Sequence, residues 1–476
     1  MSNPVAPSEA QSLVLLEKYV ETKSRQFTIN DAVSVTGVPL LESQYAIKAL
    51  MEKYDCRLKV TENGDLIYDF GKTLHRRTAK PFSEYFKDFA RALWTGFTYV
   101  YKFFMSIILV VYFVLFVAIV VGLAIAAMSG GKDNDNSSKG VGQLFALIFR
   151  VFLEIFMWKT IMGSDRYGYD RDEYGYEYRR YEPKHSALSG EKAKGFIASI
   201  YDFVFGPPRV EQDPLANKQE VASYLRKHKG IVSTAELQAL AGWKRPEADN
   251  FMTECLAHFD GRAEISPNGT LYGDFPELTR SKDRTGEAPI VYYWDEYEAP
   301  YEVTGNTSGK NALIIFMNFF NLAGSLFILN SGDEFMPSSI ATWLGWIPLV
   351  YSALFFLIPL VRMFYLRSFK KQQHRDNIRK RLMRVIFQAN VPVLSISQLL
   401  SAANATTKSE EKLDKATVEA IMQDLVYDLN GELFIDEKTA ELKYRFEQLD
   451  QELNDVEEAR QDKKTNNDIG DIIMEA

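Results

Sequence analysis

The chain has 476 residues, of which 46% are hydrophobic and 13% aromatic, and its 55 Lys plus Arg are outnumbered by 63 Asp plus Glu, a formal net charge of −8 at pH 7. That balance argues against a general surface attraction to nucleic acid. Two cysteines, Cys56 and Cys255, make no disulfide framework and fit a reducing compartment.

Glu9 and Glu17 precede the first basic residue, so the start of the chain lacks the charged-then-apolar pattern of a cleaved secretory signal. Residues 1–80 are expected to form a small soluble domain. Leu13, Leu16, Tyr19 and Val20 recur at helical spacing, Phe27 to Ile29 is β-prone, Asn30 or Asp31 opens a second helix, and a third runs from Leu40 to Tyr54. Cys56 to Val60 and Leu66 to Phe70 then read as strands joined across Asn63-Gly64. Three helices and a terminal hairpin predict a winged helix.

An amphipathic helix over 81–102 leads into Phe103 to Met128, which has no charged residue and exceeds the roughly 20 residues that span a hydrocarbon core. Val141 to Gly163 is also long enough but carries Arg150, Glu154 and Lys159. Together they make a first transmembrane hairpin, 103–163. A linker over 164–214 holds Tyr174, Tyr176 and Tyr178, then Phe196, Ile197, Ile200, Phe203 and Val204 at helical spacing, which predicts a helix lying on the membrane or packed on the next domain.

Residues 215–280 repeat the first domain, with Pro267-Asn268-Gly269 to Phe275 paralleling Glu62-Asn63-Gly64 to Phe70. An aromatic linker, 281–309, carries Tyr292, Tyr293 and Trp294. A second hairpin, 310–366, is expected from Asn311 to Leu329 and Ile340 to Leu366, the latter containing Pro348 and Pro359. Residues 367–449 repeat the soluble domain a third time. The tail 450–476, with nine Asp or Glu against three basic residues, is expected to be solvated, with Ile469, Ile472, Ile473 and Met474 as a possible docking peptide.

The fold class expected is therefore an α-helical membrane protein with α+β soluble domains, four transmembrane helices in two hairpins alternating with three winged-helix-like repeats. Nine Lys or Arg between Arg362 and Arg384, against none from Ser331 to Ser339, predict a bacterial cytoplasmic-membrane protein with both termini and the middle domain cytoplasmic.

The run Phe203-Val204-Phe205-Gly206-Pro207-Pro208, with His258-Phe259-Asp260-Gly261-Arg262-Ala263-Glu264 and Gly269 to Leu278, resembles a family of uncharacterised multi-pass membrane proteins from cyanobacteria and chloroplasts. The resemblance covers about the middle quarter of the chain. It implies architecture and carries no activity.

Winged helices commonly read DNA through the helix before the wing. Here those helices have net charges of zero (Leu40 to Tyr54), minus two (Arg245 to Phe259) and minus four (Glu410 to Asn430), too negative to neutralise phosphates. The units are accordingly read as protein-interaction or self-packing modules without a strongly cationic groove, and nucleic acid is not the expected partner. Two other classes stay open, a membrane-tethered transcription regulator and a small-solute or ion transporter.

For the transporter the candidates are Arg150 and Glu154, spaced to pair along one helix face, with Asn318 and Asn321 three residues apart on the third span. They read either as a polar pathway or as a lock between helices. Tyr174, Tyr176, Tyr178, Tyr292, Tyr293 and Trp294 read as interfacial anchors or an aromatic ligand surface. No zinc-protease, Cys-x-x-Cys or phosphate-loop motif occurs, and Cys255, His258 and His228 fall one short of a structural zinc set, so neither a catalytic centre nor a cofactor is predicted. The expected partners are the lipid bilayer and either an unidentified protein or a second copy of the chain.

Overall fold

The first soluble unit is built from α1 (Glu9–Thr22), β1 (Gln26–Thr28), α2 (Ile29–Thr36), α3 (Leu40–Lys53), β2 (Arg57–Thr61) and β3 (Leu66–Asp69). Its strands pair antiparallel in the order β1-β3-β2. The second helix starts at a reciprocal cap: Asp31 N–H donates to the Thr28 hydroxyl at 3.3 Å while Thr28 N–H donates to the Asp31 carboxylate at 2.8 Å. It ends at Gly37, whose φ of 68° favours a residue without a Cβ. Leu16, Phe27, Ile47, Leu50 and Phe70 close the core.

This computed structural model describes residues 9–77, 82–129, 169–171, 177–179, 196–207, 215–282, 287–296, 301–334, 336–389, 391–405, 412–437, 441–464 and 469–475. After the first unit, α4 (Phe82–Ser129) fuses the expected amphipathic helix and the first span into one 48-residue rod. A short ladder of β4 (Tyr169–Arg171) and β5 (Glu177–Arg179) precedes α5 (Phe196–Phe205).

The second unit repeats the plan with α6 (Ala216–Lys227), β6 (Ile231–Ser233), α7 (Thr234–Ala241), α8 (Arg245–His258), β7 (Arg262–Ile265) and β8 (Leu271–Asp274), in strand order β6-β8-β7. Then come α9 (Ser308–Ser331), a single tight turn at Gly332–Glu334, and α10 (Ser338–Gln388), a 51-residue helix with Pro348 and Pro359 inside it. The final turns of α10 serve as the first helix of the third unit, followed by β9 (Val393–Ser395), α11 (Ile396–Ala405), α12 (Lys415–Asp428), β10 (Glu432–Ile435) and β11 (Leu442–Arg445), in strand order β9-β11-β10. Each unit places the third of its own three strands between the other two.

The repeat extends to its caps. Ser233 with Glu236 and Ser395 with Gln398 reproduce the reciprocal bonds of Thr28 with Asp31. Asp260 (φ 54°) and Asn430 (φ 51°) make the left-handed step after the third helix of units two and three. The following Gly261 and Gly431 lie against the rings of Phe275 and Phe446, leaving no room for a Cβ. The Asp-Gly of the family resemblance is thus a packing turn.

Among the described residues, three helical stretches are long and apolar enough to cross a membrane: Phe104–Ala126, Ser308–Glu334 and Ser338–Gln388. Gly324 lies against Phe116 and Asn321 reaches Leu109, so α9 runs parallel to α4; Gly345 against Leu329 and Asn318 at Ser352 set α10 antiparallel to α9. The span expected over 141–163 lies outside the described residues.

The acidic tail departs from expectation. Leu449 and Val456 are buried on α13 (Glu447–Asp462), which packs on β6 and α7, and β12 (Ile472–Glu475) adds to the β2 edge of the first sheet. Composition suggested a solvated end because the charges were counted without the partners they would meet: Arg460 pairs with Glu236 at 2.7 Å, and Ser266 and Asn268 donate to Asp455 at 2.6 and 2.8 Å. These donors hold the Asp455 carboxyl below its ordinary range.

Candidate functional site

Two regions gather polar side chains into buried arrangements: a seam between the apolar helices and the contact surfaces among the three units.

In the seam, Asn318 and Asn321 are both 0% exposed. Asn318 Nδ2 donates to the Ser352 carbonyl on α10 at 3.1 Å, and Asn321 Nδ2 donates to the Leu109 carbonyl on α4 at 2.9 Å. From one helix, two amides three residues apart therefore tie down both neighbours. The Ser325 hydroxyl bonds the Asn321 carbonyl at 2.7 Å, and the Tyr351 hydroxyl bonds the Met105 carbonyl at 2.8 Å. In a medium without water such bonds fix helix register and rotation. Arg150 and Glu154 lie outside the described residues.

At one end of the seam, α5 inserts Phe196, Ile200, Phe203 and Val204 among Leu109, Phe113, Ile314, Met317 and Phe355. The helix expected on a membrane surface or on the next domain is part of the apolar bundle instead, because its apolar residues nearly encircle it. Gly206 closes it at φ 80° with the Arg362 guanidinium where a Cβ would stand.

Trp294 is buried, and Tyr292 and Tyr293 are half-buried against the core of unit three. Trp294 is 5% exposed, stacked on Tyr292 at 5.1 Å and tilted on Phe387 at 5.3 Å, while the Lys380 ammonium sits 4.9 Å from the Tyr293 ring centre. Their aromatic density reflects packing between units two and three. Tyr178 is on β5, and Tyr174 and Tyr176 lie outside the described residues.

Units one and two meet through an ion pair that sequence reasoning missed. Arg226 on α6 and Asp31 on α2, 2.6 Å apart, both have fully buried side chains. Arg226 also bonds the Leu278 carbonyl at 3.0 Å and Glu287 at 2.8 Å; Ser281 Oγ and Lys282 N–H donate to Asp31 at 2.7 and 3.1 Å. Nearby, His258 Nε2 lies 2.8 Å from the Gly37 carbonyl oxygen. Burial, helped by the Lys218 ammonium, pushes this imidazole down to about 4, so the neutral ring donates there near neutral pH. Cys255 is wholly buried in the unit-two core.

Units two and three are joined as tightly. Arg379 pairs with Asp428 at 2.5 Å and reaches the Gly242 carbonyl at 3.3 Å, Gln238 bonds the Asp428 carbonyl at 2.7 Å, and Arg245 pairs with Glu452 at 2.6 Å. The Tyr224 hydroxyl donates to Glu236 at 2.6 Å, and burial beside that carboxylate raises its pKa. The capping pattern of Thr28/Asp31, Ser233/Glu236 and Ser395/Gln398 was a signal in the sequence that could have aligned the repeats and flagged these residues.

Comparison with known proteins gives one significant relative, an uncharacterised chloroplastic protein of Arabidopsis thaliana, 23% identical over 412 residues that cover 82% of this chain and 75% of the relative. No family model matches the chain. No solved structure matches it significantly. The chain is thus a membrane-associated protein with soluble α/β units, distantly similar to a plastid protein along most of its length.

Proposed function

We propose that this chain is a membrane-anchored scaffold or adaptor whose three soluble units are winged helices that bind protein. The shared element order, central third strand and reciprocal caps support the winged-helix reading. The observation that carries the protein-binding reading is the outward face of α3, where Leu41 and Tyr45 are 59% and 58% exposed, one turn apart. Lys48, exposed one turn further, is offset by the exposed Glu52, whereas a DNA-reading helix would present an excess of Lys or Arg there. Exposed apolar side chains with an aromatic anchor suit a protein partner.

Unit three continues α10 and the units contact one another, which supports a shared position on the side that the basic flank of α10 would make cytoplasmic. Ser129 ends α4 far from that side, whereas α5 packs beside Ser106, whose hydroxyl bonds the Ile197 carbonyl at 3.3 Å. A fourth crossing between these points, at the span expected over 141–163, accounts for both positions. Asn318 Nδ2 and Asn321 Nδ2 each donate to a backbone carbonyl of a neighbouring helix, which supports a lock, while both amide oxygens stay buried without a partner among the described residues.

The test is a photo-crosslinking amino acid at Tyr45, activated in native membranes, beside a DNA-shift assay of the purified protein at low salt. A protein adduct at Tyr45 without DNA retardation is expected. Salt-sensitive DNA retardation with no protein adduct would replace this reading with a tethered transcription regulator.

A further inference from the structure

Where β1 begins, β3 ends and β2 begins, the first unit has a cleft of about 1060 Å³ whose lining includes Arg25, Arg57, Lys72, Arg77 and Lys282 against two carboxylates, Asp55 and Asp69. We propose that this cleft is a binding site for a soluble anion bearing more than one phosphate group.

Both carboxylates are already engaged by the protein. Asp69 accepts from Gln26 Nε2 at 2.8 Å, Gly71 N–H at 2.9 Å and Lys59 Nζ at 3.0 Å, and Asp55 accepts from Arg77 Nε at 2.8 Å. The charged groups of Arg25, Lys72 and Lys282 form no ion pair among the described residues. Arg57 has a loose contact, 3.6 Å to Glu475, with the two side chains 77% and 48% exposed, so an incoming anion displaces little. Several convergent cations facing one space lower the energy of a polyanion far more than that of a single charge.

The cleft belongs to two units at once. Lys282 is held at its rim because its own N–H is bonded to Asp31, the partner of Arg226, so the contact between units one and two places the fifth cation opposite the strand ends. Apart from Phe70 the remaining lining is polar or small, including Ser24, Gln26, Gly71, Thr73 and His75, and it offers hydrogen-bonding groups to phosphate oxygens. A volume of this size holds several phosphate groups or a nucleotide.

Position favours a ligand from solution over a lipid headgroup. The helix α4 starts at Phe82, close after Arg77, and its apolar segment starts at Phe104, about 33 Å further along at ~1.5 Å per residue. The cleft departs from the expectation that no unit carries a cationic groove. It is local and formed by strand ends and a loop, so it leaves the charge of α3 unchanged.

Cys56 lines the cleft and Cys255, the other cysteine, is fully buried, so alkylation of Cys56 reports occupancy. Burial pushes the Cys56 thiol up to about 11, which makes its alkylation slow and sensitive to a further negative charge. The whole protein in neutral detergent is treated with iodoacetamide, with and without inorganic pyrophosphate. Slowing of about threefold is expected, the effect of raising a thiol pKa by roughly half a unit. Sodium chloride at matched ionic strength should not reproduce it. Arg25→Gln with Lys72→Gln should abolish it, and Arg25→Lys with Lys72→Arg should retain it, each pair melting with the wild type. Equal slowing by chloride, or slowing that survives the glutamine pair, overturns the site. A phosphatidylglycerol nanodisc that slows alkylation where phosphatidylcholine does not, with pyrophosphate inert, assigns the cations to lipid headgroups and overturns the soluble ligand.

Discussion

Arg226 and Asp31 form a fully buried ion pair across the contact between units one and two, 2.6 Å apart, and the Asp31 carboxylate also completes the reciprocal cap of α2 with Thr28. One carboxylate therefore serves the fold of its own unit and the docking of the next. Removing one partner leaves a buried charge without compensation. Arg226→Met should cost about 3–5 kcal/mol, whereas Arg226→Met with Asp31→Asn should recover a substantial part of it. Thermal unfolding of the detergent-solubilised protein measures both, and equal loss in single and double variants would show that the pair is not coupled.

Acid should loosen the same contact. The folded-state pKa of His258, about 4, lies below the ordinary value of 6.5, so the neutral ring contributes its full stability above pH ~6.5 and loses it as pH falls toward 4. At about 1.4 kcal/mol per unit the loss is roughly 3 kcal/mol. His258→Gln should flatten the fall in melting temperature between pH 6.5 and 4 relative to wild type. A parallel decline in both proteins would place the acid sensitivity elsewhere.

Within the apolar helices, Asn321→Val should remove the tie to Leu109 at a cost of about 1 kcal/mol, and Asn318→Val the tie to Ser352 at a similar cost. If the amides are a lock, the double variant melts lower yet stays assembled in the membrane. Gly345→Leu is expected to be more severe, because its side chain would overlap Leu329. Melting temperatures in one detergent rank the three.

The strand β12 covers the β2 edge through the pairs Ile472 with Thr61 and Met474 with Val60. Deleting residues 469–476 should leave unit one folded and raise amide hydrogen exchange in β2, with no change in β1, which pairs on the far side of β3. Unchanged exchange in β2 would mean the strand adds no protection.

Local patterning made the units legible: Asn63-Gly64 and Asn268-Gly269 marked the hairpins, and apolar spacing marked the helices within a few residues of their observed ends. What the sequence hid is what depends on distant partners. Asp31 and Arg226 are 195 positions apart, Asp455 meets Ser266 across 189, and the cleft draws cations from positions 25, 57, 72, 77 and 282, so no window of sequence shows their charges converging. Tyr292 and Trp294 resembled membrane anchors because an amphipathic aromatic suits a domain contact and a lipid interface equally.

The most direct test of the account is sidedness. In a Cys56→Ser background, Lys48→Cys, Glu264→Cys and Glu437→Cys place one exposed thiol on each unit, and Asp333→Cys places one in the turn between α9 and α10. With a membrane-impermeant thiol reagent in sealed, oriented vesicles, the three unit positions should label from one side and Asp333→Cys from the other. Labelling of any unit position from the side of Asp333→Cys would contradict a scaffold assembled on a single membrane face.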